Sequence, residues 1–287
     1  MPTRRSFPFK AAILGTAILL TAGASACTII FAFRGGSVFA AGNEDEVIRP
    51  QLASHFVRFE PANKEKGTLG YVAFGYKNNP FSDESAMNES GLFYDFNALD
   101  PLETPREGKP KGSFSTINQM LVKCKTVAEA VSFLESVDLP QISGAQLLIG
   151  DATGASAIVE RHASTWRAKN QDFQIGTNFR TSTTPESKIT CERFKLCNAT
   201  LSAKQPISLI DMATMLRKTA AAAHGIRTWY SLVCDLKKGD VYLSVKGDFS
   251  KTIKLNLHTE LKMGSRRLDM EELVATATTH LDWGGPR

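Results

Sequence analysis

Ala24-Ser25-Ala26-Cys27-Thr28-Ile29-Ile30-Phe31-Ala32-Phe33-Arg34-Gly35-Gly36-Ser37-Val38-Phe39-Ala40-Ala41-Gly42-Asn43-Glu44-Asp45 is the stretch on which the fold turns. Residues 28–33 are β-branched and aromatic, Arg34-Gly35-Gly36-Ser37 carries a turn signal, and Val38-Phe39-Ala40-Ala41 resumes a strand. With Gly35-Gly36 as a two-residue loop, antiparallel partners have residue numbers summing to 71. Cys27 then lies opposite Glu44, with Asp45 one step along. A slip of one residue moves the pairing to a neighbour, so both acids remain open as the partner of Cys27. Asn43-Glu44-Asp45-Glu46 also reads as a plain solvated acidic turn.

Upstream of this hairpin, residues 1–26 read as a secretory leader. Arg4, Arg5 and Lys10 form a positive n-region, Ala11 to about Gly23 an apolar stretch, and Ala24-Ser25-Ala26 a small-residue cleavage site. The apolar run is shorter than the roughly 20 residues a bilayer crossing needs. Thr3-Arg4-Arg5-Ser6-Phe7 also looks like a twin-arginine export motif, with Pro8 departing from its usual apolar residue. The leader predicts an exported protein, periplasmic or secreted, with the export machinery and a signal peptidase as maturation partners. Residues 27–287 are expected to form a single catalytic domain.

Cleavage after Ala26 makes Cys27 the new terminus. A terminal cysteine carries its own base, because a free α-amine has a reference pKa of about 8 and sits beside the thiol. The rival reading is lipid attachment, which would make the chain an anchored, non-catalytic binding protein. Against it, Ala24 stands where a lipobox prefers a larger apolar residue. The chain also enters strand sequence at once, without a polar tether.

These residues resemble the N-terminal-nucleophile (Ntn) cysteine hydrolases that cleave linear amides: penicillin V acylase, choloylglycine hydrolase and their acyltransferase-like relatives. The resemblance starts at Cys27-Thr28 and continues through Gly42-Asn43-Glu44-Asp45 and Met87-Asn88-Glu89-Ser90-Gly91-Leu92. It goes on through Leu147-Leu148-Ile149-Gly150-Asp151-Ala152-Thr153-Gly154 with Ile158-Val159-Glu160, then Thr177-Asn178-Phe179 and Glu192-Arg193-Phe194. It closes on Tyr230-Ser231-Leu232-Val233 before Asp235. The elements stand in family order over about residues 27–245. The resemblance implies an α+β fold, a four-layer αββα Ntn-hydrolase sandwich, acting on a small-molecule amide by hydrolysis or by acyl transfer. It implies Cys27 as nucleophile and, through its amine, as base, and Asp45 beside that amine. Asn178 would donate to the oxyanion and Arg193 would stabilise charge near the cysteine. Asn97, offset by one residue from Gly91-Leu92, takes the second oxyanion position. Gly42 stands where many bile salt hydrolases carry an arginine on the substrate side, which argues against bile salts.

Elsewhere, strands are expected near 69–76, 91–96, 146–150, 156–161, 165–169, 173–177, 228–235, 240–245 and 252–257. Thr126-x-x-Glu129 is a capping box opening a helix to about Val137. Ser208 to His224 reads as a helix closed by Gly225, and Leu268 to His280 as a last one. Cys234 shares a strand face with Tyr230 and Leu232, which predicts burial. Cys191 and Cys197 fall on different helix faces and are not expected to bond each other. His55, His162, His224, His258 and His280 have no metal-ligand spacing, and the glycines no phosphate-binding spacing. No metal and no cofactor are expected. The net charge of +5 falls to +2 without the leader, leaving 31 basic against 29 acidic residues, so nucleic acid is not an expected partner. A homo-oligomer is compatible with the sequence.

Overall fold

A computed structural model describes residues 27–49, 54–77, 83–203, 206–223, 225–281 and 283. The leader and His224 lie outside the described residues. The hairpin forms as its glycines require: Gly35 (φ +58°) and Gly36 (φ +82°) occupy the left-handed region, where other residues are strained. Strand β1 (Thr28–Arg34) therefore pairs with β2 (Ser37–Val47) from Arg34↔Ser37 back to Thr28↔Asn43, every pair summing to 71.

Around that hairpin a six-stranded sheet assembles in the order β10 (Phe173–Gly176), β1, β2, β11 (Ile226–Asp235), β12 (Asp240–Val245) and β13 (Ile253–Asn256). An eight-stranded sheet faces it. It is built from β3 (His55–Glu60), β4 (Tyr71–Tyr76), β5 (Ser85–Asn88), β6 (Phe93–Ala98), β7 (Ala145–Gly150), β8 (Ser156–Glu160) and β9 (Ser164–Trp166), with β14 (Arg266–Asp269) at the β3 edge. Strand alternation sorts the apolar residues into three layers. Ile29, Phe31, Val57, Phe74, Phe93, Leu148 and Leu232 meet between the sheets. On the outside of the larger sheet, Ala73, Tyr94, Leu147 and Ile149 pack on α1 (Phe114–Lys123) and α2 (Val127–Glu135). Ile30, Ala32, Phe39 and Ala41 pack on α3 (Glu192–Ala203) and α4 (Leu209–Thr219) outside the smaller sheet. Two short helices, α5 (Leu257–Leu261) and α6 (Met270–Thr276), plug one end of the inter-sheet core through Leu257, Met270 and Val274. The result is the expected four-layer αββα sandwich.

Two motifs read from sequence have plain structural work. The Asn88 carboxamide accepts from the Ser90 and Leu92 backbone N–H groups and donates to the Leu121 and Cys124 carbonyls, tying the β5–β6 turn to the end of α1. Asp151 accepts from Thr153 on its own turn and from the Val127 N–H at the start of α2.

Several expected boundaries move. Helix α2 starts at Val127, with Thr126 as its cap and the capping box intact, and ends at Glu135. Helix α4 keeps its Ser208 cap but stops at Thr219, where Ala220 turns extended, so Gly225 is not its cap. The expected helix from Leu268 to His280 begins instead as β14, because Arg266–Asp269 pair with β3, and only Met270–Thr276 are helical. Strands β3 and β5 and helix α1 were not anticipated. The expected strand at 91–96 is shifted because Gly91 (φ +79°) sits in the turn. Cys234 is fully buried, as its alternation implied, and no disulfide links the five cysteines.

Gly91 is also hemmed in: a Cβ there would stand 2.3 Å from the Leu236 carbonyl oxygen. Gly91→Ala should therefore lower stability by about 2 kcal/mol or more in urea unfolding, from the left-handed backbone and the contact with a carbonyl. An unchanged midpoint would contradict this packing.

Candidate active site

Cys27 is 4% exposed and directly precedes β1, in the alternation that carries Ile29 and Phe31 into the inter-sheet core. Its Sγ reaches the backbone carbonyl of Asp45 at 3.5 Å. The hairpin register thus delivers the thiol to the level of Glu44 and Asp45. The two acids point to opposite faces of β2. Asn43 and Asp45 face the helix layer, where Asn43 donates to the Leu216 carbonyl and accepts from Ser231. Glu44 faces inward and accepts from the Tyr76 hydroxyl at 2.6 Å.

A bulge in β11 makes this arrangement possible. Thr228 pairs with Asp45 and Tyr230 with Glu44, leaving Trp229 as the extra residue. The shift aims the Thr228 hydroxyl at the Asp45 carboxylate, to which it donates. Burial pushes the Asp45 carboxyl up to about 7, while the Thr228 hydroxyl, the Arg193 charge and the Ala221 N–H pull the other way.

Arg193, in the first turn of α3, is the hub of the outer side. Its guanidinium donates to the Cys27 carbonyl at 2.5 Å, to Thr28 Oγ1 at 2.9 Å and to Asn178 Oδ1 at 2.9 Å. The sequence reading placed this charge near the cysteine; the structure puts it on the cysteine backbone and on Asn178. Asn178 Nδ2 donates in turn to the Ala98 carbonyl at the end of β6. Cys27, Asp45, Asn178 and Arg193 are thus brought together.

Asn97 lies across the inter-sheet space. It is fully buried and neither its Oδ1 nor its Nδ2 has a hydrogen-bond partner. Its Oδ1 would stand 2.5 Å from a Cβ on Gly176, the residue paired with Ile29, so a glycine at 176 leaves the room it needs.

Residues the sequence reading missed are Thr28, Thr228, Gly176 and Gln146, which donates to the Thr177 carbonyl at 2.7 Å and so fixes the Thr177-Asn178 corner. Only Thr28 carried a signal, as the neighbour of the cysteine. The inner side also holds a second carboxyl, Asp95, whose Oδ2 would stand 2.1 Å from a Cβ on Gly42. Burial, and then neighbouring acids, pushes both Glu44 and Asp95 well above the usual carboxylate range.

Among the described residues, no group of three or more His, Cys, Asp or Glu is placed to hold a metal. The groove lined by Arg34, Arg167, Lys169 and Asp172 lies at the turn end of β1, away from Cys27.

A sequence profile of the acyl-coenzyme A:6-aminopenicillanic acid acyl-transferase family matches residues 33–198, a span that includes Asp45, Asn97, Asn178 and Arg193 and starts after Cys27. Among solved structures, the chain is similar to a variant of conjugated bile acid hydrolase from Clostridium perfringens. The identity is 15% over 85% of this chain and 96% of that one, with a TM-score of 0.63. It is similar also to penicillin V acylase from Agrobacterium tumefaciens, at 16% identity over 85% of this chain and 91% of that one, with a TM-score of 0.57. No curated protein sequence matches the chain. The two structural likenesses bear on the fold, which is the Ntn-hydrolase sandwich.

Asp45 keeps its proton in the folded chain over a range where the unfolded chain has released it. The stability this gives is present below about pH 4 and is lost as pH rises through about 7. Thermal unfolding of the full chain from about pH 4 to about pH 8 should show the wild type losing stability relative to Asp45→Asn, by roughly a few kcal/mol. Parallel curves for the two proteins would refute that burial term.

Proposed function

Because the chain belongs to the acyl-coenzyme A:6-aminopenicillanic acid acyl-transferase family, we propose that it is an exported amidohydrolase that cleaves the C–N bond of a small linear acyl amide with Cys27 as nucleophile. Residues 1–26 are the leader in this reading, and 27–287 the catalytic domain. The observation that carries it is the convergence on Cys27. The thiol is turned inward against the Asp45 carbonyl, while one guanidinium holds the Cys27 carbonyl, Thr28 and Asn178 together. A buried, inward thiol suits a nucleophile better than a lipid attachment point.

Removal of the leader frees the Cys27 α-amine beside Asp45. The amine takes the thiol proton, and the thiolate adds to the amide carbonyl. The C–N bond breaks as the amine returns the proton to the leaving nitrogen, leaving a thioester on Cys27. Water, deprotonated by the same amine, releases the acid. Asn97 suits the oxyanion, being a buried carboxamide whose N–H donors have no protein partner. Asn178 has one amide hydrogen committed to Ala98 and a second to offer. Arg193 acts by positioning: it fixes the Cys27 carbonyl and the Asn178 carboxamide in one frame.

Acyl transfer is the second reading, favoured by the family to which the chain belongs. It shares the thioester, which then passes to an amine instead of water. Penicillin-like amides, N-acyl amino compounds and aminoacyl amines are the substrate classes to screen, with and without an added acceptor amine.

Intact mass and N-terminal sequencing of the exported protein should give a chain starting at an unmodified Cys27. A different start, or a diacylglyceryl group on Cys27, would overturn the nucleophile. Cys27→Ser and Asn178→Ala should severely reduce turnover with the fold retained, and Asn97→Ala should lower kcat by about 100-fold. Full activity in Cys27→Ser would end the assignment.

A further inference from the structure

Three buried polar side chains form one row across the larger sheet. Asn97 of β6 is the register partner of Gln146 of β7, and Gln146 is the register partner of Glu160 of β8. Partners in register share a face, and Phe93, Leu148 and Ile158 on the same strands mark that face as the inner one. Asn97 and Gln146 are fully buried and Glu160 is 1% exposed. The row closes the apolar inter-sheet core on the side where β6 ends and β7 begins.

The chain leaving β10 runs along this row. Gly176 leaves room for Asn97. The Thr177 carbonyl accepts from Gln146 Nε2 at 2.7 Å, and Thr181 Oγ1 donates to Gln146 Oε1 at 3.1 Å. Glu160 then takes three donors: Arg180 Nη1 at 2.9 Å, the Ser182 N–H at 2.8 Å and the Ser182 hydroxyl at 2.9 Å. Ser182 Oγ also lies 3.3 Å from His162 Nε2. Arg180 Nη2 donates to the Asp100 and Ser143 carbonyls, just past β6 and just before β7.

Asn178 stands inside the segment held this way, and its Nδ2 donates to Ala98, the neighbour of Asn97. Arg193 and Ala98 fix its carboxamide; Glu160 fixes the chain that follows it. A carboxylate is needed at 160, because two acceptor oxygens can take three donors, one of them charged. A carboxamide accepts on one oxygen and would turn an NH2 group towards Arg180. No step of the proposed reaction uses Glu160, Arg180 or Ser182.

We propose that Glu160 is a positioning residue for amide cleavage. Through Arg180 and Ser182 it holds the 177–182 corner so that the second amide hydrogen of Asn178 meets the oxyanion together with Asn97. The catalytic part rests on the reading of Cys27 as nucleophile and Asn178 as oxyanion donor; the clamp on the corner does not.

Kinetics of the mature enzyme with butyryl 4-nitroanilide test the catalytic part. Glu160→Gln is nearly isosteric and keeps an acceptor for the Ser182 N–H. It should lower kcat by roughly tenfold with KM within about twofold of wild type. Ser182→Ala, at an exposed residue, removes one of the three bonds and should lower kcat by about threefold. In an Asn178→Ala background neither change should cost more than about twofold, because the group they position is gone. Losses of equal size in both backgrounds, or losses carried by KM, mark a general structural role and would overturn the positioning. An unchanged kcat in both variants would overturn it too.

If wild type does not cleave the anilide, the proposed activity fails on that probe, and NMR of the protein with 15N-labelled asparagine decides the clamp. The Asn178 carboxamide signal is assigned by its loss in Asn178→Ala. Its exchange with water should quicken by roughly fivefold or more in Glu160→Gln. The carboxamide of Asn43, which donates to Leu216 on the helix side of the smaller sheet, should keep its rate. Unaltered exchange at Asn178 would overturn the clamp.

Discussion

The site hangs on one register. A two-residue loop with both residues in the left-handed region allows β1 and β2 a single pairing, and that pairing places the residue before Thr28 at the level of Glu44 and Asp45. A shift of one position would reverse every side chain of the hairpin. Ile29 and Phe31 would leave the inter-sheet core, and Cys27 would turn towards the helices. Because Ile29, Ile30, Phe31, Ala32 and Phe33 are also committed to β10 or to a core layer, the hairpin cannot slip without unmaking the smaller sheet.

The two faces of β2 put neighbouring acids to different uses. Asp45, on the helix side, is met by Thr228, Ala221 and the charge of Arg193. Glu44, on the inner side, meets a tyrosine hydroxyl and another carboxyl. Strand alternation alone separates them, so groups adjacent in the chain feel opposite electrostatic surroundings.

The hairpin, its register, the capping box of α2 and the burial of Cys234 were readable because each rests on contacts local in sequence or on simple alternation. β3, β5 and β14 were not. They are short, and Arg266–Asp269 becomes a strand by pairing with β3, which lies some two hundred residues earlier in the chain. Within the candidate site, Cys27, Asp45, Asn178 and Arg193 were singled out through order and resemblance, and the fold brings them together. Thr228 was out of reach because its direction is set by a bulge, which leaves no mark in composition. The row of Asn97, Gln146 and Glu160 was equally silent, because the pairing of three strands aligns it and spacing along the chain does not. The overlong helix to His224 was an error of the same kind, since apolar periodicity continued past the point where Ala220 turns extended.

The pairing of β2 with β11 joins residues roughly 180 to 200 positions apart. A ribosome adding about 5–20 residues per second leaves the hairpin waiting, one edge bare, for ten seconds or longer before Thr228 emerges to meet Asp45. The carboxyl beneath the cysteine is therefore among the last parts of the molecule to be seated. A chain released short of β11 holds the thiol and the turn but lacks the strand that carries Thr228, so completion of the fold is itself the step that assembles the candidate site.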